Sequence, residues 1–175
     1  MNLLHRVLTL TDHTRLAIDS SSHPDWYKEW YHFCIFGPEI EAIVNFSWLR
    51  DNRAGVPAGS YQARVILLVN DHAWDGEVIE IPARDVHISP GQIDFRFGHH
   101  RMVFQGGAFR ISVALENRPI TLDLKIEPLT YPLLRSRAPI GPGAIDWLVV
   151  PRLRASGTII RGQQVYRLEN APAYH

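Results

Sequence analysis

Residues Ile120-Thr121-Leu122-Asp123-Leu124-Lys125-Ile126 alternate between apolar and polar side chains without a break. Successive side chains of a β-strand point to opposite faces, so this pattern predicts an antiparallel strand with one buried and one solvated face. The same alternation occurs over residues 93–97 and from Phe109 to Leu115. Longer runs typical of strands lie at 28–36, 40–50, 60–70, 74–81, 157–161 and 164–168.

Short turns rich in glycine, proline, asparagine and aspartate separate these runs. No window of about ten or more residues shows the spacing of an amphipathic helix. The chain of 175 residues has the size of one ordinary domain. We therefore predict a single all-β domain over residues 1–175, an antiparallel meander that closes into a barrel or folds into a sandwich.

Residues 128–151 break the pattern, because they contain five prolines and two glycines. Proline cannot donate a hydrogen bond to a sheet ladder. The segment is therefore predicted to be a long loop or a series of short edge pieces. Two interpretations stay open, a functional loop and a plain crossover that covers one mouth of the barrel.

Composition and charge restrict the function classes. Hydrophobic residues make up 46% of the chain and charged residues 21%, which excludes a disordered or fibrous protein. Lys plus Arg and Asp plus Glu both number 18, so net charge gives no support for a nucleic-acid partner or an anionic membrane. No apolar run is long enough for a transmembrane helix, and the N-terminus lacks the pattern of a signal peptide. We expect a cytoplasmic protein without a transmembrane segment.

The aromatic-rich stretch 26–33 is the most distinctive local feature. On a strand it places Glu29, Tyr31 and Phe33 on one face and Trp30, His32 and Cys34 on the other. A carboxyl group among aromatic rings loses hydration, which raises its pKa and suits it to general acid catalysis. The alternative is that the aromatic residues form the core and Glu29 pairs with an arginine.

Other reactive side chains give weaker signals. Cys34 is the sole cysteine, which excludes an intrachain disulfide. His32 and Cys34, two residues apart on a strand, are predicted to be about 7 Å apart, too far for direct proton transfer, so the thiol is interpreted as structural. His99 and His100 lie in a predicted turn, and no spaced ligand pattern accompanies them. We therefore predict no metal site.

Several short motifs resemble one family. The chain contains Glu29-Trp30-Tyr31-His32 near its start, Ile145-Asp146-Trp147 later, and Ala173-Tyr174-His175 at its end. These resemble the EWWY-like motif and the beginning of the GYHDHNWG-like motif of the hydroxyneurosporene synthase family, also called the carotenoid 1,2-hydratase or AttH-like family. Lipocalin-like Diels–Alderases and some isoprenoid cyclases are similar. The resemblance covers nearly the whole chain and about the first half of a typical member.

The resemblance implies a lipocalin-like β-barrel that is the N-terminal half of a two-barrel protein, with an apolar pocket in or near the interface. It implies a biosynthetic hydratase, that is a lyase, or a cyclase that acts on a hydrophobic polyene or isoprenoid-like substrate. Acid-assisted alkene chemistry needs a proton donor and aromatic faces that stabilise a carbocation, whereas pericyclic cyclisation needs shape and orientation. Neither route requires a cofactor.

On the same resemblance we assign two catalytic candidates, Glu29 and His175. The substrate-binding candidates are Trp30, Tyr31, Trp48, Trp147 and Tyr174. The expected partners are a hydrophobic small molecule and a second β-barrel domain or chain. Two alternatives stay open: a non-catalytic lipocalin-like carrier of a small apolar ligand, and a structural barrel that docks a second domain.

Overall fold

The computed structural model describes residues 3, 6–8, 26–51, 61–89, 91–141 and 143–175. Within these ranges the chain folds into thirteen strands and one short 3-10 turn, Ala83–Asp85. The strands are β1 Trp26–Phe36, β2 Glu41–Asp51, β3 Tyr61–Asn70, β4 Trp74–Ile81, β5 Val86–Ile88, β6 Asp94–Phe97, β7 His100–Gln105, β8 Ala108–Ala114, β9 Ile120–Pro128, β10 Leu133–Ile140, β11 Gly143–Val149, β12 Leu153–Arg161 and β13 Gln164–Tyr174.

Eleven of these strands form one antiparallel sheet that curls into a nearly closed barrel. Their order is β4-β3-β2-β1-β13-β12-β9-β8-β7-β6-β5. Most neighbours are consecutive hairpins, but β1 pairs with β13 and β9 pairs with β12. The two edges of the sheet are therefore β4 and β5, which follow each other in the chain without pairing.

The alternation that predicts the strands also determines the core. In β9 Ile120, Leu122, Leu124 and Ile126 are buried, whereas Asp123, between them, is exposed. The inward faces of the other barrel strands supply the rest of the hydrophobic core, to which Leu8 from near the N-terminus is added. The predicted all-β antiparallel barrel is confirmed.

The proline-rich segment is not a long loop, and of the two predicted alternatives the short edge pieces agree better with the structure. Strands β10 and β11 form a separate two-stranded sheet in which Pro139 lies opposite Ala144. A two-stranded ribbon leaves one edge of each strand unpaired, so proline is tolerated there. A bulge follows Arg135, where Arg137 adopts a positive φ of 51° and its N–H donates to Asp146 Oδ1 at 2.7 Å.

The predicted strand boundaries are wrong in two further places. Strand β7 begins at His100, where the sequence predicts a turn. Strand β13 continues past Leu168 to Tyr174, across an irregularity at Asn170, whose φ is +57° and whose N–H donates to Ser156 Oγ at 3.0 Å. This continuation brings Tyr174 opposite Cys34 and inserts the chain's last strand beside β1.

Candidate functional site

Aromatic side chains from β1, β2, β6 and β8 fill one part of the barrel. We define the aromatic interior as Tyr31, Phe33, Phe46, Trp48, Phe95, Phe97, Phe109 and His175, all buried. Tyr31 is stacked on Trp48 at a centroid distance of 6.0 Å and meets the edge of Phe95 at 4.8 Å. These rings come together because β1 and β2 pair in register and the curled sheet places β6 across the barrel from them.

His175 extends the aromatic interior toward β8. Its ring is nearly parallel to those of Phe33 and Tyr31, at 4.4 and 5.7 Å, and meets Phe109 at 5.4 Å. The Nδ1 atom lies 3.1 Å from the carbonyl oxygen of His32, which can only accept, so Nδ1 carries the proton in this contact. The backbone of His175 pairs with Val150 through bonds of 2.6 and 3.2 Å. The ring is therefore held in one orientation.

Glu29 lies at the end of the aromatic interior. It is half-buried, shares the inward face of β1 with Tyr31, and lies opposite Trp48 in the strand register. The indole Nε1 of Trp48 is buried and has no hydrogen-bond partner among the described residues. A carboxyl group, a phenol and an indole N–H thus lie on one face of two adjacent strands. This arrangement can donate a proton or a hydrogen bond to a molecule that contacts aromatic rings.

Three of the predicted substrate-binding residues lie away from this cluster. Trp30 lies on the outward face of β1, next in sequence to the inward-facing Tyr31, and is 38% exposed. Lys28 Nζ lies 5.7 Å from its ring centroid. Trp147 lies on the β10–β11 ribbon and is 52% exposed. Tyr174 alternates with the buried Ala173 and His175 and so lies on the outward face of β13. Strand alternation forbids adjacent residues such as Trp30 and Tyr31 from both facing inward.

The structure brings together Glu29, Tyr31, Trp48 and His175, and it does not bring Trp30, Trp147 or Tyr174 to them. Trp30 and Trp147 thus lie on other surfaces than Tyr31, and their role in substrate binding stays a prediction. Tyr174 is adjacent to His175 in sequence, but its side chain is on the outward face of the barrel.

The predicted separation of His32 and Cys34 is also wrong. Cys34 Sγ lies 3.3 Å from His32 Nε2 on the outward face of β1. The spacing of about 7 Å applies to the Cα atoms, and both side chains lean toward each other along the strand. Burial lowers the pKa of His32, and the electrostatic interaction with His175 lowers it further. Burial raises the pKa of Cys34. Both shifts favour the neutral thiol and the neutral ring, so the pair is not an activated nucleophile.

His100 differs from the predicted solvated turn residue, because it is only 2% exposed. It starts β7 opposite Phe97, and since Phe97 faces the core, so does His100. The signal was present in the sequence: a two-residue turn at Gly98-His99 pairs Phe97 with His100. Burial is the main cause that lowers the pKa of His100 to about 4, and the electrostatic interaction with His99 is the second.

The described ranges contain no candidate for a metal centre or a membrane-spanning helix. Within them, no three His, Cys, Asp or Glu side chains converge as ligands of one ion. Over the same residues, the structure contains no helix with the length and apolarity needed to span a membrane.

No family model matches the chain, and no curated protein matches it. Among solved structures, a candidate AttH protein from Nitrosomonas europaea is similar, with a TM-score of 0.65 and 14% sequence identity. The similarity covers 93% of this chain and 54% of the other, so the chain spans about half the length of that protein. At this identity the likeness establishes the fold, a lipocalin-like β-barrel.

Proposed function

We propose that this barrel binds a hydrophobic polyene or isoprenoid-like molecule at the Glu29 end of its aromatic interior and serves a hydratase or cyclase reaction. The observation that carries the proposal is the placement of Glu29 on the inward face of β1, beside Tyr31 and opposite Trp48. The fold shared with the candidate AttH protein is consistent with it. The cytoplasm remains the proposed location.

In the proposed acid route, the protonated carboxyl group of Glu29 donates its proton to one carbon of an alkene. The other carbon becomes a carbocation, and the faces of Tyr31 and Trp48 stabilise it by cation–π attraction. Attack by water followed by loss of a proton to the carboxylate gives an alcohol. Attack by a second double bond followed by the same proton loss gives a ring. In both cases Glu29 ends in its starting state.

In the proposed pericyclic route no proton is transferred, and the barrel acts by holding the polyene in a reactive shape. Trp48 Nε1–H, which has no partner among the described residues, supplies a hydrogen-bond donor to a polar group of the substrate. His175, fixed by its stacking on Phe33 and its bond to the His32 carbonyl, shapes the other end. Removal of the Glu29 acid would leave this route intact, which separates the two.

We further propose that a second β-barrel domain or chain packs on the β10–β11 ribbon. Leu133, Ile140 and Trp147 of this ribbon are 64, 61 and 52% exposed. Large apolar side chains exposed along one ribbon offer the apolar contact that protein–protein interaction sites use. Hydroxyl-radical footprinting of the natural gene product measures the exposure of Trp147. Protection relative to the isolated barrel supports the packing, and equal oxidation rejects it for this face.

The catalytic proposal is tested by incubating the purified chain with geranylgeraniol and with lycopene in detergent micelles. Liquid chromatography with mass spectrometry distinguishes three results. A gain of one water indicates hydration, and a product of unchanged mass with a new retention time indicates cyclisation. Saturable binding with recovery of the unchanged polyene indicates the carrier alternative.

The Glu29→Gln variant tests the acid role. We expect turnover to fall about 100-fold or more, because a positioned general acid contributes about that factor, while polyene binding changes little. Glu127→Gln is the matched control, since Glu127 lies on the outward side of β9 with Lys125 and Arg154 at 2.9 and 3.0 Å. Equal losses of binding and turnover in Glu29→Gln, or no loss of either, would remove Glu29 from the acid role.

A further inference from the structure

A concave site lies where the barrel fails to close. The edge strands β4 and β5 do not pair, and a cleft of about 220 Å³ opens beside β4 at this seam. We call it the seam cleft. It is lined by β4, by the turn that joins β4 to β5, by the β6–β7 turn with the first residue of β7, and by the β8–β9 turn. Its lining includes Glu77, Ile79, Asp85, His99, His100 and Glu116.

The seam cleft is strongly acidic. Glu77, Glu80, Asp85 and Glu116 line it, and its described lining includes no lysine or arginine. Two basic residues reach these carboxylates from outside the lining: Arg64 bonds Glu80 at 2.9 Å, and Arg84 lies 3.7 Å from Asp85. Both pairs are solvent-exposed, which makes them weak and replaceable. The field within the cleft therefore favours a cation.

Two buried polar atoms in the lining lack partners among the described residues. Glu77 Oε1 accepts a hydrogen bond from Asn117 Nδ2 at 2.8 Å, but its Oε2 is buried without a donor. His100 is 2% exposed, and its Nδ1 is likewise buried without a partner. Buried polar groups in native proteins are nearly always hydrogen-bonded, so unpartnered atoms at a cleft indicate a place for a ligand.

The histidines add acceptors. His99 Nε2 lies 2.8 Å from the Ala114 carbonyl oxygen and must donate to it, which leaves Nδ1 as the ring nitrogen outside this bond. That atom lies 3.7 Å from Glu116 Oε1. His100 is neutral at pH 7 because its pKa is lowered to about 4, and a neutral imidazole offers one acceptor nitrogen. The cleft thus presents carboxylate oxygens and ring nitrogens to a molecule that brings donors.

The size and the apolar part of the lining limit the ligand. Small-molecule pockets usually measure about 300–1,000 Å³, so the seam cleft suits a ligand smaller than a typical drug. Ile79, Ile81 and Pro82 supply apolar contact beside the carboxylates. From these features we propose that the seam cleft binds a small organic cation, a primary ammonium or guanidinium group on a short alkyl chain, with Glu77 and His100 as its principal acceptors.

The test uses n-butylguanidinium and n-butylammonium as probes, followed by nuclear magnetic resonance of the His100 ring and the Gly98 and Asn117 amides. We expect saturable shifts at millimolar concentration for both cations and none for n-butanol. The peptide acetyl-Gly-Arg-Gly-amide distinguishes the source of the cation. Binding as tight as that of n-butylguanidinium assigns the site to a basic side chain of another protein, and weaker binding assigns it to a free small molecule.

Glu77→Gln should weaken binding about tenfold, because it removes the charge that accepts the ligand's hydrogen bond. Glu127→Gln, outside the cleft, should leave it unchanged. Should Glu77→Gln fail to fold, the solvent-exposed Glu116→Gln gives the same comparison with a smaller loss. No saturable shift at about 20 mM, equal shifts with n-butanol, or tighter binding of Zn²⁺ than of either organic cation would overturn the proposal.

Discussion

Two buried histidines, one in the aromatic interior and one in the seam cleft, show how differently the same side chain is accommodated. His175 is stacked on Phe33 and has its Nδ1 at 3.1 Å from a backbone carbonyl oxygen. His100 is even less exposed, but its Nδ1 has no partner among the described residues, and its ring centroid lies 4.0 Å from that of His99.

The two histidines differ in whether the ring nitrogen Nδ1 has a hydrogen-bond partner among the described residues. A satisfied polar group inside a packed cluster contributes to fold stability, whereas a buried group without a partner carries a desolvation cost of about 1–3 kcal/mol. The aromatic interior is therefore expected to be sensitive to the loss of volume. The seam cleft is expected to be sensitive to charge and protonation, and to tolerate the loss of volume better.

The loss of volume should have the strongest effect in the aromatic interior. Phe33 is fully buried and contacts Phe109 at 5.0 Å as well as His175, so Phe33→Ala should destabilise the fold by about 3–5 kcal/mol. Ile79→Ala in the cleft lining should cost less, because Ile79 is only partly buried. Urea unfolding measures both. Equal costs would remove the distinction between the two regions.

Lowering the pH should reduce the stability of the fold through His100. The pKa of His100 in the folded protein is about 4, below its unfolded value near 6.5, so the unfolded chain binds the proton first. Stability is complete above about pH 6.5 and falls as the pH approaches 4, by up to about 3 kcal/mol. The free energy of unfolding, measured by urea titration across this interval, tests the loss.

The His100→Phe variant isolates this contribution. Phenylalanine keeps an aromatic ring and cannot titrate, so the pH dependence between about 6.5 and 4 should become shallower. The remaining slope includes His32, whose pKa is also lowered by burial. Carboxylates with a lowered pKa, such as Glu127, whose ordinary value is 4.5, contribute only to the acid end of this interval, below about pH 5. An unchanged slope in His100→Phe would contradict the assignment of the proton to His100.

A surface ion pair near the cleft should matter least. Arg118 Nη1 lies 2.5 Å from Asp75 Oδ1 and joins the β8–β9 turn to β4, but the arginine side chain is 49% exposed. Arg118→Ala should lower stability by about 0.2–1 kcal/mol, and added salt should reduce that difference further. Thermal unfolding at low and high salt measures it. A larger, salt-independent loss would show that this pair holds the seam together.

The sequence predicts the strands well where burial alternates locally. In 120–126 each side chain's environment follows from its neighbours, and the structure has the same inward and outward residues. The proline-rich segment 128–151 could not be predicted this way, because a ribbon outside the barrel tolerates proline. The sequence also does not predict whether Trp30 or Tyr31 faces inward, because the pairing of β1 with β2 and β13 determines the inward face.

The candidate site was predictable in part. Glu29 and Tyr31 share a face by alternation alone. Their approach to Trp48 depends on the β1–β2 register, and the approach of His175 depends on β13 continuing to Tyr174 beside β1. These are contacts between distant parts of the chain. The seam cleft cannot be predicted from the sequence, because its lining comes from β4, the first residue of β7 and three turns, which no motif connects.

The most direct test of polyene binding in the aromatic interior is the indole N–H resonance of Trp48 during titration with geranylgeraniol in micelles. Trp147, on the exposed ribbon, is the internal control, and single Trp→Phe variants assign both signals. We predict a saturable shift of the Trp48 signal with no change at Trp147 beyond that caused by empty micelles. A shift at Trp147 with an unchanged Trp48 signal would contradict binding in the aromatic interior.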